Sequence, residues 1–392
     1  SDAYINGLTV GRGAGAVASN TAAGVSALYA NTTGANNSAV GVNALQQNTT
    51  GGSNTAFGLS AALNNTTNSN LTAVGFQAQY FQTGGSNEAF GYRALFGASG
   101  LSTGTNNVAI GGSTLYSNTT GGQNTALGTY ALYSNTASNY NTAVGYQAGY
   151  YLNTTGDIRN TFVGGLAGYT TSTGANNTFI GMQSGYLNTT GGSNAVLGQS
   201  SLYSNTTGSY NTALGVSALS SNTTASYNTA VGYQAGYSTT TGDITVVGYQ
   251  AGYSMTTGAG TFVGNVAGRN VTGSYNVAVG EQAGRDTGTG SWNTSIGHAA
   301  LRTMSGGNNN VAIGGSAMQS VTTAVSSNIA IGYAALFQTT GNSSVGIGDS
   351  ALYSNTSGAQ NNALGVNALY YNTTGSYNSA VGIATLQSNT CL

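Results

Sequence analysis

Apolar residues in this chain return at a fixed distance instead of gathering in blocks. A threonine or small residue is followed by alanine or phenylalanine, then a branched apolar residue, then glycine, as in Ala39-Val40-Gly41, Ala56-Phe57-Gly58, Phe179-Ile180-Gly181 and Ala380-Val381-Gly382. The phrase occurs 23 times between Gly11 and Gly382; of the 22 steps between successive glycines, thirteen are 17 residues and five are 16. A period this short and strict means stacked copies of one small unit, none of which can bury its apolar face alone.

One copy, NTALGVSALSSNTTASY at 211–227, shows what each unit is expected to form. Thr212, Leu214 and Val216 alternate with Ala213 and Gly215, the period-two pattern of a strand. A second short extended piece is expected around Ser217, Ala218 and Leu219, followed by Asn, Thr, Gly and Ser, whose side chains and backbone freedom make turns. Each rung therefore reads as two strands and two turns, with no helical period. The rung glycines are represented by Gly41, Gly58, Gly145, Gly181, Gly232, Gly314 and Gly382. The residues just before them, Val40, Phe57, Val74, Val144, Ile180, Val231, Ile313 and Val381, are the expected buried stripe.

Three residues after the glycine the slot is small (Ala27, Ala44, Ala148, Ser184), and the next slot holds either Leu or Met (Leu28, Leu45, Leu132, Leu219, Met318, Leu369) or glycine (Gly149, Gly185, Gly236, Gly252, Gly284). Small residues at fixed slots let two layers of backbone approach closely, so the core should be thin. The expected class is all-β, a parallel β-roll or solenoid of about 17-residue rungs: a lead-in at 1–4, repeats over 5–386 and a tail at 387–392. Strand spacing of about 4.8 Å over this number of rungs gives a rod on the order of 100 Å. The long steps from Gly91 to Gly111 and from Gly145 to Gly164 should bulge in turns. A coil this thin leaves an apolar stripe in water, and self-association, here a side-by-side homotrimer, is the expected remedy.

Charged residues make up 3% of the chain, with no lysine, no proline and a formal charge of −1. Six scattered arginines do not neutralise a polyanion backbone, so nucleic acid is not an expected partner. No apolar run is long enough to span a membrane, and the opening residues do not read as a signal peptide. Cys391 has no second cysteine to pair with. The acids, Asp2, Glu88, Asp157, Asp243, Glu281, Asp286 and Asp349, are scattered apart from Glu281 and Asp286, which with Arg285 read as a local ion pair at a turn. His298, the single histidine, reads as a solvated turn residue. Catalysis, metal and cofactor are therefore not expected. Asn-Thr-Thr, at Asn31, Asn48, Asn118, Asn153, Asn188, Asn205, Asn222 and Asn372, matches a glycosylation sequon but is accounted for by turn formation. The 26 tyrosines recur at fixed slots, which makes ring ladders; Tyr146, Tyr210, Tyr227, Tyr233 and Tyr249 are the candidate glycan contacts.

The phrases NTAVGYQAG at 141–149, NTALGVSAL at 211–219 and NVAIGGSAM at 310–318 resemble the head repeats of trimeric autotransporter adhesins, the YadA-like head. The longer turns and the opening INGLTVGRG at 5–13 resemble repeats of bacteriophage tail fibres. The resemblance implies a left-handed β-roll with three chains side by side. Its implied function is an extracellular, non-enzymatic fibre of a virion tail that contributes to host-surface attachment, or a bacterial cell-surface adhesin head. The rungs are longer than in adhesin heads, and the absence of lysine leaves out the Ser/Lys chaperone region of such fibres, which implies a fibre without it or an excised shaft. A third expectation, an ice-binding or self-assembling solenoid, is disfavoured because threonine is read as lying mostly in turns.

Overall fold

The computed structural model describes residues 3–5, 8–98 and 102–388. Cys391 and Asp2 lie outside them. The chain forms two compact units, Ser1–Gln199 and Ser200–Leu392, each an all-β parallel solenoid.

The first unit opens with β1 (Ala3–Ile5) antiparallel to β2 (Leu8–Gly11), which is in turn antiparallel to β3 (Thr21–Ala23). The Gly11 copy of the phrase is thus part of a hairpin and not a rung. Parallel stacking starts at β3 and continues to Ala195–Leu197; the second unit repeats it from Thr212–Leu214 to Ser379–Val381. Register follows the repeat: Thr142, Ala143 and Val144 lie beside Thr161, Phe162 and Val163.

Among the described residues, a strand of three or four residues is the only regular β segment of most rungs. The expected second strand is a run of turns. It is shaped by left-handed residues two and four positions after the glycine, such as Ser26 (φ 57°) and Leu28 (φ 51°), or Ser217 (φ 57°) and Leu219 (φ 51°). Cross-rung hydrogen bonds survive in this leg, since Leu28 N–H donates to the Ala44 carbonyl at 3.1 Å and Leu219 N–H to the Ala235 carbonyl at 3.0 Å. A left-handed leucine costs about 1–2 kcal/mol. Full burial of its side chain contributes about 1.5–3 kcal/mol, so burial wins.

The expected core stripe is displaced by one residue. Ala39, Ala143, Phe179, Ala230 and Ala312 are buried, and the residues after them face outward. Val40, Val74, Val144, Ile180, Val231 and Ile313 are half-buried; Phe57 and Val381 are exposed, at 57% and 75%. The reason is the pleat: Thr and Val flank the middle residue on the opposite face, and in most rungs alanine is what fits where the two legs of a 17-residue coil meet. Leucine in the following leg fills the remaining space.

The glycine alternative at the Leu slot belongs to the same packing. Phe162, Phe179 and Phe262 are fully buried at the middle strand position. A Cβ on Gly168 would lie 2.5 Å from the Phe162 ring, one on Gly185 2.5 Å from Phe179, and one on Gly268 2.4 Å from Phe262. Phenylalanine with glycine therefore replaces alanine with leucine at nearly constant volume, the swap a close-packed interior tolerates.

Of the two long steps, the one from Gly145 to Gly164 bulges where expected. Its turn adds the exposed strand Thr155–Asp157, which pairs in parallel with Ala137–Asn139 of the preceding rung. Part of the other lies outside the described residues.

Candidate functional site: columns of side chains on the solenoid

Because every rung repeats the same slots, chemistry on this fold is organised in columns. Two buried columns are asparagine. The residue four before the rung glycine is Asn in most rungs, and each hands its side-chain oxygen to the next rung: Asn37 N–H donates to Asn20 Oδ1 at 2.9 Å, and Asn54 N–H to Asn37 Oδ1 at 3.0 Å. The amide NH2 groups donate to carbonyls, Asn20 to Gly34 at 2.8 Å and Asn37 to Gly51 at 2.9 Å. The Asn-Thr-Thr asparagines make the second column: Asn48 Nδ2 donates to Asn31 Oδ1 at 2.9 Å and Asn65 Nδ2 to Asn48 Oδ1 at 3.0 Å. Where Gln82 or Thr239 takes this slot the run stops, and the oxygens of Asn65 and Asn222 are left without a partner.

Sequence reading treated these residues as surface turn formers. The signal missed was the constancy of Asn at one slot in rungs whose other polar slots vary. Eight of the nine Asn-Thr-Thr asparagines, Asn65 included, are buried, and Asn153 is the exposed one, because Leu152 takes the interior slot in its rung.

Tyrosines form the outer columns. In the first unit the slot five after the glycine stacks Tyr80, Phe96, Tyr116, Tyr133, Tyr150, Tyr169 and Tyr186 with centroids 5.0–5.5 Å apart. Burial, a hydrogen bond with Tyr151 and repulsion from neighbouring phenolates push the Tyr169 hydroxyl up to about 12, so it stays neutral well into the alkaline range. The candidate glycan contacts fall into separate columns. Tyr210 stacks on Tyr227 at 5.2 Å, and Tyr233 on Tyr249 at 5.4 Å, while Tyr146 belongs to the first unit. All five are exposed.

Two further outward columns are apolar. One is the displaced stripe before the glycine, with Phe57, Phe90 and Leu127 exposed in the first unit and Ile296, Ile331 and Leu364 in the second. The other follows the glycine, with Val42, Leu59 and Phe76 in the first unit and Val216, Tyr333 and Val366 in the second, and is interrupted by residues such as Gly112, Gly165, Asn265, Glu281, His298 and Asp349. Threonine starts many strands and forms in-register runs, Thr142–Thr161–Thr178 and Thr212–Thr229–Thr245–Thr261. Most other threonines lie in the turns, as expected. Glu88, Val108, Val277 and Ile329 interrupt the column.

Glu281 and His298 are exposed at the slot after their rung glycines. Arg285 pairs with Asp286 at 2.6 Å, as the sequence suggested, and Asp157 pairs with Arg159 at 3.0 Å on the bulged turn. Among the described residues, no group of three or more His, Cys, Asp and Glu side chains comes together, and no helix is long and apolar enough to cross a membrane. A recess of about 260 Å³ is lined by Asp243, Gly260, Thr261, Tyr275 and Asn276, at rungs where Ile244 and Gly260 replace the ladder asparagine.

Compared with known proteins, the chain matches no protein-family model and no curated protein.

Proposed function

We propose that this chain is a non-enzymatic structural fibre segment, the shaft of a virion tail fibre, that works as a side-by-side homotrimer outside the cell and contributes to attachment to a host surface. The observation that carries the reading is the outward apolar column before the glycine, which holds Val, Ile, Leu or Phe rung after rung from Val40 to Val381, with an interrupted apolar column beside it. Single exposed apolar residues are ordinary, but a continuous run marks an interaction surface. A second copy of the same chain supplies a surface of identical period, so every rung can meet an equivalent rung. Three copies, rather than two, is what the resemblance to YadA-like heads implies. A bacterial adhesin head uses the same geometry and differs in what anchors it. The interrupted threonine column gives the ice-binding reading little support, since ordered water needs a regular array.

Attachment through the exposed tyrosines, Tyr146, Tyr210, Tyr227, Tyr233 and Tyr249, is weak at each rung and gains strength from repetition, because each further contact of the same particle acts at high effective concentration. An array of immobilised glycans probed with the purified chain should give binding that grows with ligand density, and a reducing-end assay on the bound glycans should show no cleavage. No binding to any glycan would remove the attachment half of the reading. Cleavage lost on Glu281→Gln or Asp286→Asn would replace the structural reading with an enzymatic one.

A further inference from the structure

We infer that three stacked arginines in the second unit, Arg269, Arg285 and Arg302, form a binding site for an acidic polysaccharide. Half of the six arginines of this chain occupy one column. They sit five residues after Gly264, Gly280 and Gly297, in the slot that elsewhere holds the aromatic ladder. Their backbones are tied rung to rung: Ser254 N–H donates to the Arg269 carbonyl at 3.0 Å, Asn270 N–H to that of Arg285 at 2.7 Å, and Asp286 N–H to that of Arg302 at 2.9 Å. The column therefore places an arginine backbone about every 4.8 Å, one strand spacing.

Like charges at that spacing repel, and one carboxylate answers them. Asp286 accepts from Arg285 Nε at 2.7 Å through one oxygen and from Asn270 Nδ2 at 2.6 Å through the other. The Nε atoms of Arg269 and Arg302, both buried, have no hydrogen-bond partner. An excess of positive charge on a half-buried ledge, with two of the three guanidiniums outside the Arg285–Asp286 pair, is what a row of anionic oxygens would satisfy.

Neighbours in the column indicate the class of polymer. Tyr253 lies below Arg269, its ring centroid 5.9 Å from the guanidinium carbon, and stacks on Tyr237 at 5.1 Å; Gln319 follows Arg302. A sugar ring against the aromatic edge, with its carboxylate or sulfate on the guanidiniums and its hydroxyls on Gln319, uses each of these groups. Nucleic acid fits less well: three charges neutralise few phosphates, and the two tyrosine rings already cover one another's faces. The site deepens the attachment reading and rests on it for the kind of ligand, a surface polymer.

The test is binding of the full chain at low salt to polygalacturonate (carboxylate), dextran sulfate (sulfate), neutral dextran and duplex DNA. The acidic polysaccharides should bind and weaken as salt rises, the preference between them identifying the anion, while neutral dextran should not bind. The double variant Arg269→Gln/Arg302→Gln, which leaves the Arg285–Asp286 pair intact, should lose roughly tenfold or more in affinity. Arg159→Gln, on the bulged turn of the first unit, should bind as the parent does. If the double variant fails to fold, hydrogen exchange on the parent chain decides: protection on adding polymer should centre on residues 268–303. Unchanged affinity in a folded double variant, equal binding of neutral dextran, tighter binding of DNA, protection elsewhere, or no binding of either acidic polymer would each overturn the site. Particle mass tests the fibre reading separately, so failure here leaves that reading standing.

Discussion

Gly145→Ala should lower the unfolding free energy by about 3 kcal/mol or more, through backbone strain together with a clash that nothing nearby relieves. Gly145 has φ 139°, a conformation open in practice to glycine alone. An added Cβ would stand 2.5 Å from the Gly164 carbonyl oxygen and 2.6 Å from its carbon. These are backbone atoms of the next rung, held by the Gly164 N–H bond to the Val144 carbonyl at 2.8 Å, so relief requires parting two rungs. Rungs interact mainly with their neighbours, so protection from hydrogen exchange should fall around residues 125–181 and persist far from them. Gly165→Ala is the control: its Cβ would meet nothing within 4 Å. Equal melting curves for the two variants would contradict the account of why the phrase ends in glycine.

The second large effect is expected from Asn124→Asp. Asn124 is fully buried; its amide NH2 donates to Asn107 Oδ1 at 3.1 Å and to the Ser138 carbonyl at 2.9 Å, while its oxygen accepts from the backbone N–H of Asn141 at 3.0 Å and from its side chain at 3.0 Å. An ionised carboxylate keeps the acceptor and turns both donations into contacts between oxygens, with no positive charge in the ladder to offset it. The loss should be about 3–5 kcal/mol near neutral pH, the range for an uncompensated buried charge. Burial raises the folded-state pKa of such a group above its unfolded value of about 3.9. Stability should therefore be greatest below that value and fall as pH rises through the folded pKa. Asn153→Asp, at the exposed sequon asparagine, should change little. A parent-like melting temperature for Asn124→Asp at neutral pH would mean that the ladder is not buried.

The period, the rung glycines, the parallel stacking and the Leu-or-Gly alternation were legible because each is a constraint on residue size or backbone angle that the sequence must meet at every copy. The inward face was not. Both Ala143 and Val144 are apolar, and volume favoured valine, yet Thr142 shares the face of Val144 and a threonine column is a poor core. That alternation was the usable sign. The second leg was misread as a strand because leucine is rarely left-handed; only the cross-rung ladder and the filled core make Leu28 or Leu219 adopt φ near 50°. The asparagine columns were hidden by a general expectation that polar turn residues face water. In a solenoid a turn is stacked on other turns, and its inward side chains meet their own copies and the turn backbone of neighbouring rungs. The arginine column was hidden for the same reason: residues 16 or 17 apart look scattered along the chain and are neighbours across rungs.

Self-association through the outward columns is the claim on which the fibre reading turns, and the mass of the folded particle tests it most directly. Mass photometry or sedimentation of the purified chain at micromolar concentration should give about three times the chain mass of 38.9 kDa. A stable folded monomer under those conditions would contradict it.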